Sequence, residues 1–270
     1  MTIWTNGSTP GPPSDTPPAG AAPPAPAPRA ERQPESEAEA GAAERATAAG
    51  MGVERSLQAL TAIACRLAPI AARAIAGSAS GAGVSAPAAA LLAAGEAEAA
   101  QVEAACFGAG ATETKVAGHE TAHEAALTEV LAAEAAHTAS ESEAAALIGA
   151  TLPITIRIMG GRRALRPVLP ALARANARLA QTLHRQGPAG RQLLRTIPTI
   201  QRRTAASLGA ARRAGQRITP ALAVRVMAEQ TQRVLRDPRL LGRSIVRNTT
   251  IRGNTVAPAG QRAGPRRTTE

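Results

Sequence analysis

Residues 219–238 read TPALAVRVMAEQTQRVLRDP, and this stretch sets the reading of the fold. Thr219 is an N-cap residue followed by Pro220 at the first helical position, where the missing N–H would have had no partner anyway. Ala223, Val224, Met227, Thr231 and Val234 recur at helical spacing, while Arg225, Arg233 and Arg236 fall off that stripe. Asp237-Pro238 repeats the start signal for a further helix with Leu241 and Ile245 inward. The stretch is therefore one amphipathic helix with a cationic outer face, followed directly by another.

The same design extends upstream. Leu165, Val168, Leu169, Leu172, Leu179 and Leu183 share a narrow sector, with Arg163, Arg174, Arg178 and Arg185 roughly opposite, until Gly187-Pro188 stops the pattern. A second stripe of Ile197, Ile200, Thr204, Leu208 and Ala211 carries Arg202, Arg203 and Arg213 away from it and ends at Gly215. Residues 162–248 thus read as four short amphipathic helices forming a small bundle. Beyond Asn248 the Arg, Gly, Pro and Thr composition predicts fraying.

The first 150 residues differ. Ten of the 21 prolines lie in residues 1–34, a composition that favours an extended, solvated tail. Residues 35–50 are an Ala/Glu run of helical propensity. Val53, Leu60, Ile63, Leu67, Ile70 and Ala74 predict an amphipathic helix interrupted by Pro69, and residues 87–107 an Ala-rich helix ended by Gly108. Between Gly118 and Gly149 there is neither Gly nor Pro, so one helix of about eight turns is expected. Leu152, Ile154, Ile156 and Ile158 alternate like a strand without a pairing partner and read as helix or extended connector. The fold class is all-α: a small C-terminal bundle of amphipathic helices, Ala-rich helices in the middle and a disordered Pro-rich N-terminal tail. The segments are 1–50 (tail), 51–150 (acidic and helical), 151–250 (Arg-rich bundle) and 251–270 (disordered basic tail).

Composition limits the core. Leu, Ile, Val and Phe supply 46 of 270 residues, and the 19 in residues 1–150 are sparser than the 27 in residues 151–270, so the larger core belongs to the second part. Charge divides at the same place. Residues 1–150 hold 7 basic and 17 acidic side chains, a net of −10, and residues 151–270 hold 24 arginines and 3 acids, a net of +21, which together give +11. Residues 96–143 alone hold ten Glu and one Lys, so this acidic stretch is a candidate to dock on the basic part and shield it from external polyanions.

Cys65 and Cys106 lack Cys-x-x-Cys spacing and read as buried free thiols. The start of the chain has no basic and apolar signal pattern, and the longest apolar stretch, Ala144 to Met159, contains Pro153 and Arg157 and is too short to span a bilayer. A cytoplasmic protein is expected. His119-Glu120-Thr121-Ala122-His123 resembles the His-Glu-x-x-His motif of zinc peptidases, which implies two imidazoles on one zinc ion and Glu120 as general base. The other candidate ligands, His137, Glu141 and Glu143, would lie about 20–30 Å away along a continuous helix, too far to share the ion. A zinc peptidase is thus only the enzyme alternative. No metal, other cofactor or small-molecule substrate is expected.

Arginine faces favour phosphate contacts and counterion release, which need no base-reading motif. Residues 151–270 hold no aromatic side chain on which single-stranded bases could stack. The leading expectation is a non-enzymatic protein that attaches to a polyanion, most simply nucleic acid, through Arg174, Arg178, Arg202, Arg203, Arg212, Arg213 and Arg217. The alternatives are a structural or interaction component of a larger bacterial particle or secretion assembly, or a protein active on a membrane surface.

Overall fold

The computed structural model describes residues 35–77, 86–108 and 116–256; the Pro-rich residues 1–34 and the last residues of the basic tail, 257–270, lie outside them. The chain divides into two compact units, residues 1–48 and 49–270. In the first, the described residues are helical. The second contains the hydrophobic core.

All ordered elements among the described residues are helical: α1 (Glu35–Ala76), α2 (Ala86–Phe107), α3 (Val116–His137), α4 (Glu141–Ile158), α5 (Arg162–Leu165), α6 (Leu169–His184), α7 (Gly187–Leu193), α8 (Ile197–Arg213), α9 (Pro220–Arg236) and α10 (Pro238–Val256), with 3₁₀ turns at Arg166–Val168 and Leu194–Thr196. The protein is all-α. The punctuation follows the proline and cap signals. Thr219 accepts from the Leu222 N–H at 3.2 Å, and Asp237 Oδ1 accepts from Arg239 and Leu240. Gly160 and Gly215 adopt left-handed φ of 64° and 78°. Each closes its helix with paired bonds, Gly161 N–H to Ile156 and Gly160 N–H to Arg157 in one case, Gln216 N–H to Ala211 and Gly215 N–H to Arg212 in the other.

Several boundaries differ from the sequence reading. The long helix expected across residues 118–149 is a hairpin of α3 and α4, broken at Thr138–Ser140. Ser140 caps α4 by accepting from the Glu143 N–H at 3.2 Å, and Thr138 donates to the Glu143 carboxylate. This Ser-x-x-Glu cap outweighs the absence of Gly and Pro. Residues 152–158 are helical, Gly187-Pro188 opens α7 as well as ending α6, and α10 continues past Asn248 to Val256. Among the described residues one helical stretch, Glu54–Ala76, is long and apolar enough to cross a membrane by length and composition. The sequence reading had looked for that property in residues 144–159. Here Ala64, Leu67, Ala68, Ala71, Ala72 and Ile75 enter the core, while Ile70 is 44% exposed.

The centre of the unit is α8. From Leu193 to Leu208 every residue is buried, so this helix has no solvent face over most of its length. It packs against α2, α3, α4 and α9. Ile197, Ile200 and Leu208 fill its apolar side together with Leu193 and Leu194 just before it and with Leu179, Leu183 and Ile148. A polar ladder threads the same core: Asn176 donates to the Ile148 carbonyl at 3.0 Å, Gln201 donates to Asn176 at 3.0 Å, and Thr151 and Thr155 donate to Gln201 Oε1 at 2.9 and 3.0 Å. Buried amides and hydroxyls cost free energy unless partnered in this way.

The contact between α2 and α8 depends on Gly95. A Cβ at that position would sit 2.4 Å from Ser207 Cα and 2.5 Å from its N, and because these are backbone atoms no rotamer change relieves the clash. Gly95→Ala is expected to lower stability by roughly 1–3 kcal/mol despite the better helix propensity of alanine. Gly149→Ala, on α4 where nothing lies within 4 Å, is expected to raise stability by up to about 1 kcal/mol. Urea unfolding followed by helical circular dichroism checks the opposite signs.

Candidate anion-binding surface

The docked acidic helices decide which arginines face water. Among the described residues, Glu96, Glu98, Glu103, Glu124, Glu129, Glu134 and Glu141 all form ion pairs with arginines of the C-terminal part. The acidic stretch and the basic bundle therefore share one core rather than forming separate bodies.

Arg202 and Arg203, expected on the outer face of their helix, are interior. Arg202 is 0% exposed. Its Nη2 donates to Glu129 Oε1 at 2.6 Å, and its Nε lies 3.4 Å from Glu103 Oε1. Arg247 joins the same carboxylates, at 3.2 Å from Glu129 and 3.3 Å from Glu103. Asn248 Nδ2 donates to the Glu129 carbonyl and carboxylate at 2.6 and 3.1 Å. Phe107 presents its ring to both guanidinium groups, 5.3 Å from Arg202 and 4.8 Å from Arg247. Arg203, 7% exposed, has its Nη1 3.4 Å from Glu96. The physical reason for the correction is that α8 is covered on both sides. Its arginine face meets a layer of carboxylates from α2 and α3 instead of solvent.

Arg213 is exposed but bonded to Glu98 through both Nη atoms. The remaining four expected residues, Arg174, Arg178, Arg212 and Arg217, are exposed, and no carboxylate among the described residues pairs with them. The fold brings Arg174 and Arg178, one turn apart on α6, together with Arg73 of α1 and Arg225 of α9 around a groove. Arg212 and Arg217 flank the Gly215 turn at the end of α8 and lie outside that groove. Sequence reasoning missed Arg73 and Arg225 as members of the set. Arg225 falls off the apolar stripe of its own helix, as Arg73 does between Ala72 and Ala74, but periodicity says nothing about which helices share a surface.

The His-Glu-x-x-His stretch lies in α3. His123 is exposed, and the side chain of His119 lies outside the described residues. The chain does turn back, which the sequence reading had not expected. What the turn brings alongside is Arg157, whose Nε donates to Glu124 Oε2 at 3.0 Å. Among the described residues no three His, Cys, Asp or Glu side chains are grouped to hold a metal ion. Cys106 is buried, and burial pushes its thiol above the ordinary value. Cys65, expected to be buried, is exposed with Sγ 3.9 Å from the Arg236 carbonyl.

Comparison of the chain with protein-family models, curated proteins and solved structures finds no match.

The buried cluster has consequences for stability. Glu129 is the shared acceptor of Arg202, Arg247 and Asn248. Glu129→Gln strips Arg202 of its closest countercharge and is expected to cost roughly 3–5 kcal/mol. Arg202→Met leaves Glu129 with two donors and is expected to cost less. Urea midpoints of the two variants check the order.

For Glu103, burial pushes the carboxyl up, but the Arg202 and Arg247 guanidiniums more than offset this and hold it below the ordinary range. A carboxyl depressed in the folded state contributes stability that is present above the unfolded value of about 4.3 and is lost as pH falls through the lower folded value. Glu103→Gln is therefore expected to flatten the acid limb of the stability curve below about pH 4. Unfolding measured between neutral and acid pH checks this against the parent chain.

Proposed function

We propose that the protein attaches, without reading sequence and without catalysing a reaction, to a polyanion in the cytoplasm, most simply the phosphate backbone of nucleic acid. The observation that supports this most is the distribution of charge after folding. Seven glutamates are engaged inside or against the bundle, while Arg174, Arg178, Arg212 and Arg217 remain at the surface with no carboxylate partner among the described residues. Such guanidinium groups neutralise phosphates and release condensed counterions, which gives affinity without base contacts. The paired Arg202, Arg203 and Arg213 are left out of the binding set, because removing them from their carboxylates would expose or bury unbalanced charge.

Binding of the full chain to a labelled DNA duplex, measured by fluorescence anisotropy over a range of salt, tests the proposal. Replacing Arg174, Arg178, Arg212 and Arg217 together by Gln is expected to reduce the magnitude of the log K against log salt slope by up to about 3–4, close to one per lost phosphate contact. Arg202→Met is expected to lower stability and leave that slope intact. A quadruple variant with the parent slope overturns the assignment.

A further inference from the structure

Helices α1, α6 and α9 enclose a groove of about 680 Å³, within the roughly 300–1,000 Å³ of small-ligand sites. Its floor is aliphatic and shallow-chained: Ala72, Ile75, Ala171, Ala175 and Ala228 line it and are themselves buried. Four guanidinium groups line the same space, from Arg73, Arg174, Arg178 and Arg225, against a single carboxylate, Glu229. Among the described residues no aromatic side chain lines it.

We propose that this groove binds a long-chain aliphatic carboxylate, with the hydrocarbon tail on the alanine floor and the charged head among the surrounding arginines.

Each part of the ligand follows from the lining. Small side chains leave a trough in which methylenes can lie against apolar surface and leave water. The cations exceed the acid by three, so the head carries negative charge. Arg174 and Arg178 stand four residues apart on one face of α6, which directs two forked donors to one place, and such forks match a carboxylate in bidentate fashion. Among the described residues the lining offers no aromatic ring for the stacking contact a nucleotide base would want and Gln232 as its one uncharged polar side chain, so ring recognition has little to use. Burial pushes the Glu229 carboxyl up, with Arg225 and Arg233 opposing the rise.

The site goes beyond polyanion attachment, although Arg174 and Arg178 serve both readings. A phosphate backbone has no tail for the alanine floor, so the two are separable. The full chain is titrated calorimetrically with dodecanoate, with dodecanol and inorganic phosphate as comparisons and with phosphatidylglycerol vesicles as a further arm. Saturable binding of dodecanoate is expected, tighter than that of dodecanol or phosphate. Arg174→Gln with Arg178→Gln is expected to weaken it about tenfold or more. Ala221→Trp, which places an indole at the groove from an exposed position, is expected to weaken dodecanoate similarly while the DNA salt slope stays that of the parent. Arg212→Gln with Arg217→Gln is expected to do the reverse. The proposal is overturned if dodecanol or phosphate binds as tightly as dodecanoate, if the chain takes up vesicles but not free dodecanoate, or if dodecanoate binding survives both groove variants. A parent chain whose DNA binding shows no salt slope would overturn the polyanion reading and leave this one standing.

Discussion

A guanidinium group with no access to water sits at the centre of this molecule, and the arrangement of the other helices answers its demands. Arg202 stands on α8, which is buried over most of its length against α2, α3, α4 and α9, where an unbalanced charge would be prohibitive. Glu129 from α3 and Glu103 from α2 supply the countercharge, Phe107 the face of a ring, and α10 adds Arg247 and Asn248, which share the same carboxylates. An apolar core of similar volume would hold the helices together as well or better. What the ionic cluster adds is a requirement on neighbours. The packing of α2, α3 and α10 on α8 meets that requirement for charge, while Arg202 Nη1 and Asn248 Oδ1 stay buried without a hydrogen-bond partner among the described residues.

The polar ladder of Asn176, Gln201, Thr151 and Thr155 imposes a parallel requirement on the other flank of α8. Alanine and leucine surfaces slide over one another with little change in contact, and this chain has few large side chains with which to lock a register. Shifting α4 by a residue along α6 would part Asn176 from the Ile148 carbonyl and leave buried amides without partners. Directional bonds thus do the specifying that bulky aromatic packing does elsewhere. Gly95 complements them by letting α2 approach to backbone contact.

How much of this was legible depends on the range of the signal. Thr219-Pro220 and Asp237-Pro238 announce their helices within a few residues, and both start where the local chemistry says. The Ser140–Glu143 cap was equally local but was masked by a run of alanine and glutamate that looks helical throughout. The buried status of Arg202 and Arg203 was not readable, because a stripe of Ile197, Ile200 and Leu208 appears the same whether the opposite face meets solvent or a second layer. The partners that decide it lie 99 and 73 residues upstream of Arg202. Charge segregation did carry that information in coarse form: an acidic stretch followed by a basic one docked as opposite charges should. The groove was hidden for the same reason, since three stripes 50 to 150 residues apart converge only in space.

The contribution of the last helix to the Glu129 cluster also bears on how a nascent chain can mature. Glu129 and its neighbours leave the ribosome long before Arg247 and Asn248 do, separated from Asn248 by 119 residues. Until those late residues arrive, the half-built centre carries carboxylates lacking part of their complement, and its closure waits for α10. Such a topology couples the middle of the chain to α10, so the centre closes as one late step and not by stepwise addition of helices.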